Sequence, residues 1–165
     1  MRLWTTRSKE EAHLLNPAFC CTILATTIYE YVNLRKEGMP YALVYMYLPI
    51  VLHKHTRDML PPNIRTSMAA WLQKNSVVRI HFYERLISLK PYTKEALQFG
   101  MFADRIIPRE NGLLGTTLNN SDVNRSIRKL TDEARLCVMR ARFLGKWFAT
   151  AGASHTIMTF WGIRP

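Results

Sequence analysis

Nine apolar residues between positions 122 and 151 fall on one helical stripe, and no other feature limits the fold of this chain as much. Val123, Ile127, Leu130, Ala134, Cys137, Ala141, Leu144, Phe148 and Ala151 follow one another at steps of four and three, the spacing that stacks side chains along one side of an α-helix. No alternating strand pattern competes with it. Ser121 and Asp122 supply a cap and a negative charge for the positive end of the helix dipole, and Gly152 supplies the residue that most readily ends a helix. The spacing therefore predicts one long amphipathic helix over Asp122–Ala151. Off the stripe, Arg125, Arg128, Lys129, Arg135, Arg140, Arg142 and Lys146 outnumber Asp132 and Glu133, which gives the other faces a positive field. A helix apolar on one side and cationic on the others argues for binding more than for catalysis.

The rest of the chain must supply what this stripe packs against. Its 165 residues, 48% of them hydrophobic, suffice for one globular domain or two small helical lobes. The formal charge is +11, which favours an anionic partner such as nucleic acid, an acidic protein face or a membrane surface over a passive basic exterior. The excess is uneven: eight basic residues oppose three acidic ones from Asp122 onward, against seven and five in the first sixty positions. Cys20 and Cys21 are adjacent and Cys137 is remote, which matches neither a disulfide framework nor a zinc site and suggests buried thiols in a reducing cytoplasm. The charged start, with Arg2, Arg7, Lys9, Glu10 and Glu11, lacks the apolar core of a signal peptide, so export is not expected. The uncharged segments Ala12–Tyr29 and Met39–Leu52 read as buried helices rather than bilayer crossings: the first carries Asn16, Pro17 and threonines, and the second is short and contains Pro49.

Local signals divide the chain into a helical part over 1–60, a module over 61–118 and a C-terminal helix with a tail over 119–165, expected to pack as one unit. Ser8 and Glu11 form a capping box that opens a short helical turn through Leu14 and Leu15. Asn16 caps the next helix with Pro17 in its first position, Phe19, Ile23, Ile28, Tyr31 and Leu34 on its apolar side, and Gly38 as its stop. Pro49 is expected to kink or divide the apolar segment Met39–Leu52, for which a strand over Tyr41–Tyr47 is the competing reading. Pro61 and Pro62 mark the clearest internal boundary. Thr66 or Ser67 then caps a helix through Trp71 and Leu72, Val77–Leu89 forms a second that ends before Pro91, and Thr93 caps a third that reaches Phe102. Arg105–Pro108, a turn at Glu110-Asn111-Gly112, and Leu113-Leu114 make a β-hairpin. The expected fold is thus mainly α, with a winged-helix-like module of three helices and a two-stranded wing. Its third helix would present Lys94, Gln98, Met101 and Arg105 to DNA, a thin basic set that suits a protein partner about as well.

Chemistry is sparse. The seven glycines form no phosphate-binding pattern, so the chain is not itself an ATPase. His53 and His55 flank Lys54 but would face different sides of a helix, and His13, His81 and His155 are dispersed, so no metal site is expected. No serine, threonine or cysteine stands in the context of an activated nucleophile, and no cofactor is implied. Trp147 and Phe148, near Arg142, Phe143 and Lys146, alternate aromatic and basic groups in a way that can stack bases. Their place on or beside the stripe favours core or interface roles. The candidates for contact with a partner or DNA are Arg128, Arg135, Arg140, Arg142, Lys146, Trp147 and Arg164, with Lys94, Arg105 and Arg109 on the module. Arg140, Arg142 and Lys146 lead this set as off-stripe cations that must be solvated or paired.

Several phrases taken in order resemble one family. They are Leu15-Asn16-Pro17-Ala18-Phe19, Gly38-Met39-Pro40, Leu48-Pro49-Ile50-Val51-Leu52-His53-Lys54, Arg65-Thr66-Ser67 with Trp71-Leu72-Gln73, and Pro91-Tyr92-Thr93-Lys94-Glu95-Ala96-Leu97. Ala141-Arg142-Phe143-Leu144-Gly145-Lys146-Trp147-Phe148-Ala149 and Trp161-Gly162-Ile163-Arg164-Pro165 complete the set. The chain resembles the small middle component of bacterial three-component ABC systems, the group that includes Lamassu-type antiphage defence. The resemblance implies a non-enzymatic adaptor beside an SMC-like ABC ATPase that senses DNA and an effector, often a nuclease, held inactive until invasion. It carries over no catalytic residue; the matched positions read as fold and interface, with Gly145 as a close-packing point in the long helix. A stand-alone winged-helix regulator that reads DNA with Lys94 and Arg109 is the rival expectation.

Overall fold

The computed structural model describes residues 15–163. The turn expected from Ser8 and Glu11, together with His13 and Arg164, lies outside them.

Helix α1 (Pro17–Arg35) is the centre of the fold. Asn16 accepts a hydrogen bond from the Ala18 N–H at 2.8 Å and Pro17 occupies the first turn, as expected. The helix stops at Lys36, which adopts a left-handed conformation (φ 61°) two residues before Gly38, the stop expected from the sequence. Gly38 serves instead where strand β1 (Met39–Pro40) approaches the sheet, because a Cβ there would lie 2.7 Å from the Leu113 Cβ. Buried residues surround α1, the mark of a helix packed on all sides.

Helix α2 (Tyr41–Val51) confirms a helix over the competing strand, and the first two residues of the expected segment belong to β1. Pro49 does not divide the segment. It sits within the last turn, where its missing N–H costs one hydrogen bond, and Leu52 still bonds back to the Leu48 carbonyl at 2.9 Å. Helix α3 (Lys54–Met59) follows, capped by His53. Helix α4 (Met68–Lys74) has Ser67 as its cap.

The largest departure from expectation lies in helix α5 (Phe82–Phe102). Two helices separated at Pro91 were expected; one continuous helix runs through it. Pro91 is exposed and forfeits a single intrahelical bond, while continuation buries Thr93, Ala96, Leu97 and Gly100. Thr93 caps nothing, and its hydroxyl donates to the Leu89 carbonyl at 3.1 Å. The segment before Phe82 is a 3₁₀ turn (Ser76–Arg79) rather than α-helix. The separate second and third helices of the expected module are therefore not present.

The hairpin is present. Strands β2 (Ile106–Arg109) and β3 (Leu113–Thr116) pair antiparallel, with Ile106 opposite Thr116 and Arg109 opposite Leu113. Asn111 (φ 57°) and Gly112 (φ 68°) supply the two left-handed residues of the turn. Strand β1 adds to the other edge of β3, which gives the order β1-β3-β2.

The expected single C-terminal helix is two: α6 (Asn120–Arg128) and α7 (Asp132–Thr150). The break at 129–131 leaves the stripe usable on both sides, because Val123 and Cys137 are both buried. A second start signal competes within the stretch: Thr131 takes an extended N-cap conformation ahead of Asp132 and Glu133, whose charges suit a helix N-terminus. The cap of α6 is Asn119, which forms a capping box with Asp122, rather than Ser121. Gly152 (φ 112°) follows α7 as expected, before helix α8 (Ser154–Phe160). Helices α1 and α7 form the most extensive pair in the fold, with α5 on another side of α1. Tyr47 with Phe148 and a chain of Trp147, Trp71, Trp161 and Phe82 fill the core.

Candidate interaction surface

The cations of this basic chain divide into those spent inside the fold and those left facing water. Glu30 of α1 is 4% exposed. Arg142 Nε donates to its carboxylate at 2.6 Å, and Lys146 Nζ lies 3.5 Å away. Both cationic side chains come from α7, and Gly145 between them lets α7 meet α1 directly: a Cβ there would intrude on the Thr27 carbonyl. Arg142 also donates to the Asn124 and Asn120 side chains of α6, each at 3.3 Å. One guanidinium thus ties three helices together. Two of the three leading partner candidates are internal ties.

Arg57 behaves likewise. It is 3% exposed, donates to the Val51 carbonyl at 2.9 Å and to Cys137 Sγ at 3.1 Å, and pairs with Glu133. Trp147 is buried and donates to the Thr66 carbonyl at 2.7 Å, so it is a core residue. Arg135 spans the break between α6 and α7, bonding the Leu130 carbonyl and pairing with Asp132 at 3.3 Å. Arg109 lies across Gly115 of its own hairpin. Arg140 is half-buried near Asp58, whose carboxyl is held below its usual range first by the hydrogen bond from Lys54 and in smaller part by the charges of Lys54, Arg57 and Arg140. Lys94, Arg105 and Arg128 are exposed, with no side-chain hydrogen bond or ion pair among the described residues. Arg164 lies outside those residues.

A groove of about 460 Å³ opens beside this exposed set, between α1, the end of α5 and α6. Cys21, Ala25, Phe99 and Leu118 line its apolar part, and Arg105, Arg125 and Lys129 stand at it. Asp122 is the sole carboxylate among the described residues of this lining, and it is engaged with the Asn119 N–H at 3.3 Å and with Arg125 at 3.8 Å. Phe99 is 41% exposed and Phe102, one turn on, is 91% exposed. Exposed aromatic surface beside a groove is costly in water and typical of binding sites. Arg125 and Lys129 belonged to the basic faces read from the sequence but were not singled out; their i, i+4 spacing was the available signal.

Neither of the two cysteines on α1 is an activated nucleophile. Burial pushes the Cys21 thiol up to about 11 against the opposing pull of Arg105, and burial with its neighbours pushes Cys20 up to about 12. Both thiols stay protonated at neutral pH. Among the described residues no three His, Cys, Asp or Glu side chains form a group that could hold a metal ion, and no helix is long and apolar enough to cross a membrane.

Fold and surface define a small, mainly helical protein with a three-stranded sheet at one side and an open, cation-flanked groove. The chain belongs to the family described as ABC-three component (ABC-3C) system Middle Component 3, whose model matches residues 4–165. It is therefore a middle component of a three-component ABC system. No curated protein and no solved structure matches it.

Proposed function

We propose that the protein is a non-enzymatic adaptor of an antiphage defence complex, linking an SMC-like, DNA-sensing ABC ATPase to an effector such as a nuclease. The family match across 4–165 is the observation that carries this reading. The distribution of charge supports it. Arg57, Arg142 and Lys146 are committed to rigid helix packing, while Arg105, Arg128 and Lys129 remain available to a partner. Apolar contacts at the groove would let such an assembly survive moderate salt. The test is co-purification of the tagged chain with the ATPase encoded beside it. Stable association in moderate salt is expected, and failure to associate in any order of mixing with ATPase and effector refutes the adaptor role.

A stand-alone DNA-binding regulator rests on the exposed Lys94 and Arg105, which make no ion pair among the described residues, and on the hairpin that follows α5. That reading requires sequence-dependent binding by the isolated chain with a steep salt slope. Equal, weak affinity for every duplex excludes it and leaves DNA as a contact of the assembled complex.

A further inference from the structure

We infer that the groove between α1, α5 and α6 is a docking site for an acidic amphipathic helix of a companion subunit. The inference rests on the adaptor reading and assigns it a surface. Three features of the groove select this occupant.

The first is its charge. Arg105, Arg125 and Lys129 stand at the groove, Arg128 lies exposed beside Lys129, and Asp122 is already held by its own helix. Aspartates or glutamates along the flanks of a partner segment would therefore meet cations, and basic flanks would meet repulsion. The second is its apolar lining. Cys21, Ala25, Phe99 and Leu118 offer aliphatic and aromatic surface, which wants an apolar stripe against it. A nucleic-acid backbone carries no such stripe, and its phosphates would be drawn off water onto carbon.

The third is the backbone around it. The described lining residues lie on helices α1, α5 and α6 and in the turns after α5 and β3, none of them within a strand, so this lining offers no strand edge to which an extended peptide can add. A segment bound here must satisfy its own N–H and C=O groups, which a helix does. Apolar residues at i, i+3/i+4 and i+7 would then face the groove, with acidic residues on both sides of that row. The α6 wall is held for this by the Asn119–Asp122 capping box and by Arg142 bonding Asn120 and Asn124.

The experiment uses the full chain with the ATPase and effector of its own system. Neutralising the three cations (Arg105→Gln, Arg125→Gln, Lys129→Gln) should weaken assembly by about tenfold or more at physiological salt, with the three reversals to Glu weakening it further. Unchanged circular dichroism and melting of the neutral variant show that folding is not the cause. A benzophenone side chain placed at Phe99 of the assembled complex should cross-link to a companion peptide with Asp and Glu flanking an apolar row. Cross-linking to a basic or unpatterned peptide, to nucleic acid or to a second copy of this chain overturns the inference. Undiminished assembly of the neutral and reversed variants overturns it while the adaptor role stands. A wild-type chain that joins neither companion overturns both.

Discussion

Glu30→Gln is the substitution that most sharply tests the internal role of the α7 cations. The side chain keeps its shape and one acceptor oxygen, and it loses the charge that Arg142 approaches at 2.6 Å and Lys146 at 3.5 Å. Removing one member of a buried ion pair costs about 3–5 kcal/mol because the other charge is left uncompensated. Here the full cost is not reached. The Arg142 and Lys146 side chains are 28% and 41% exposed, so water takes up part of the freed charge, and Arg142 keeps its bonds to Asn124 and Asn120. The expected loss is about 2 kcal/mol. With a urea dependence of about 2 kcal/mol/M for a domain of this size, the unfolding midpoint should fall by about 1 M. Equilibrium urea titration followed by helical circular dichroism reads this directly. The cycle completed with Arg142→Gln and the double variant should give a coupling of about 1 kcal/mol or more. A midpoint shift below about 0.2 M with no coupling would refute the reasoning, returning Arg142 and Lys146 to the ordinary surface charges that their positions off the stripe suggested.

Gly145→Ala should destabilise by about 1–3 kcal/mol, because its methyl meets the Thr27 backbone. Gly115→Ala, whose methyl meets only the flexible end of Arg109, should cost less in the same urea titration. Trp147→Phe leaves the Thr66 carbonyl without the donor now 2.7 Å away, and chemical denaturation should show a loss of about 1–2 kcal/mol. His53 accepts from the Thr56 N–H through Nδ1, a role open only to the neutral ring, and burial, then the charges of Arg85 and His55, holds its pKa below 6.5. Since the unfolded chain takes up this proton first, the contribution is complete above about 6.5 and is lost as pH falls from there towards the lower folded value. Thermal melts of wild type and of His53→Asn, which keeps a capping oxygen, should diverge in their pH slope across that window; parallel slopes would refute the assignment.

Spacing alone revealed the apolar stripe, the hairpin and the start of α1, since each depends on neighbours within one or two turns. The break at 129–131 stayed hidden because the stripe keeps its phase across it; only Thr131, Asp132 and Glu133 hinted at a second start. The continuity of α5 was equally illegible. Whether a helix crosses Pro91 depends on what it buries beyond, here Ala96, Leu97 and Gly100, and that is a tertiary fact. Gly145 was readable as a close approach, but the fate of Arg142 was not, because its carboxylate stands 112 residues away in sequence. For the same reason the groove could not be foreseen: Arg105 appeared among the candidates, yet the helix ends that surround it come from three separate stretches.

On the proposed adaptor role, the inner cations hold the fold while the outer ones recognise a partner. Sedimentation of the reconstituted complex, run in parallel with thermal melting of each free variant, tests this most directly. Glu30→Gln should melt earlier yet assemble like wild type below its melting temperature, whereas the Arg105→Gln, Arg125→Gln, Lys129→Gln variant should melt like wild type and assemble poorly. The opposite pairing, with assembly lost on Glu30→Gln in folded protein and retained in the groove variant, would contradict it.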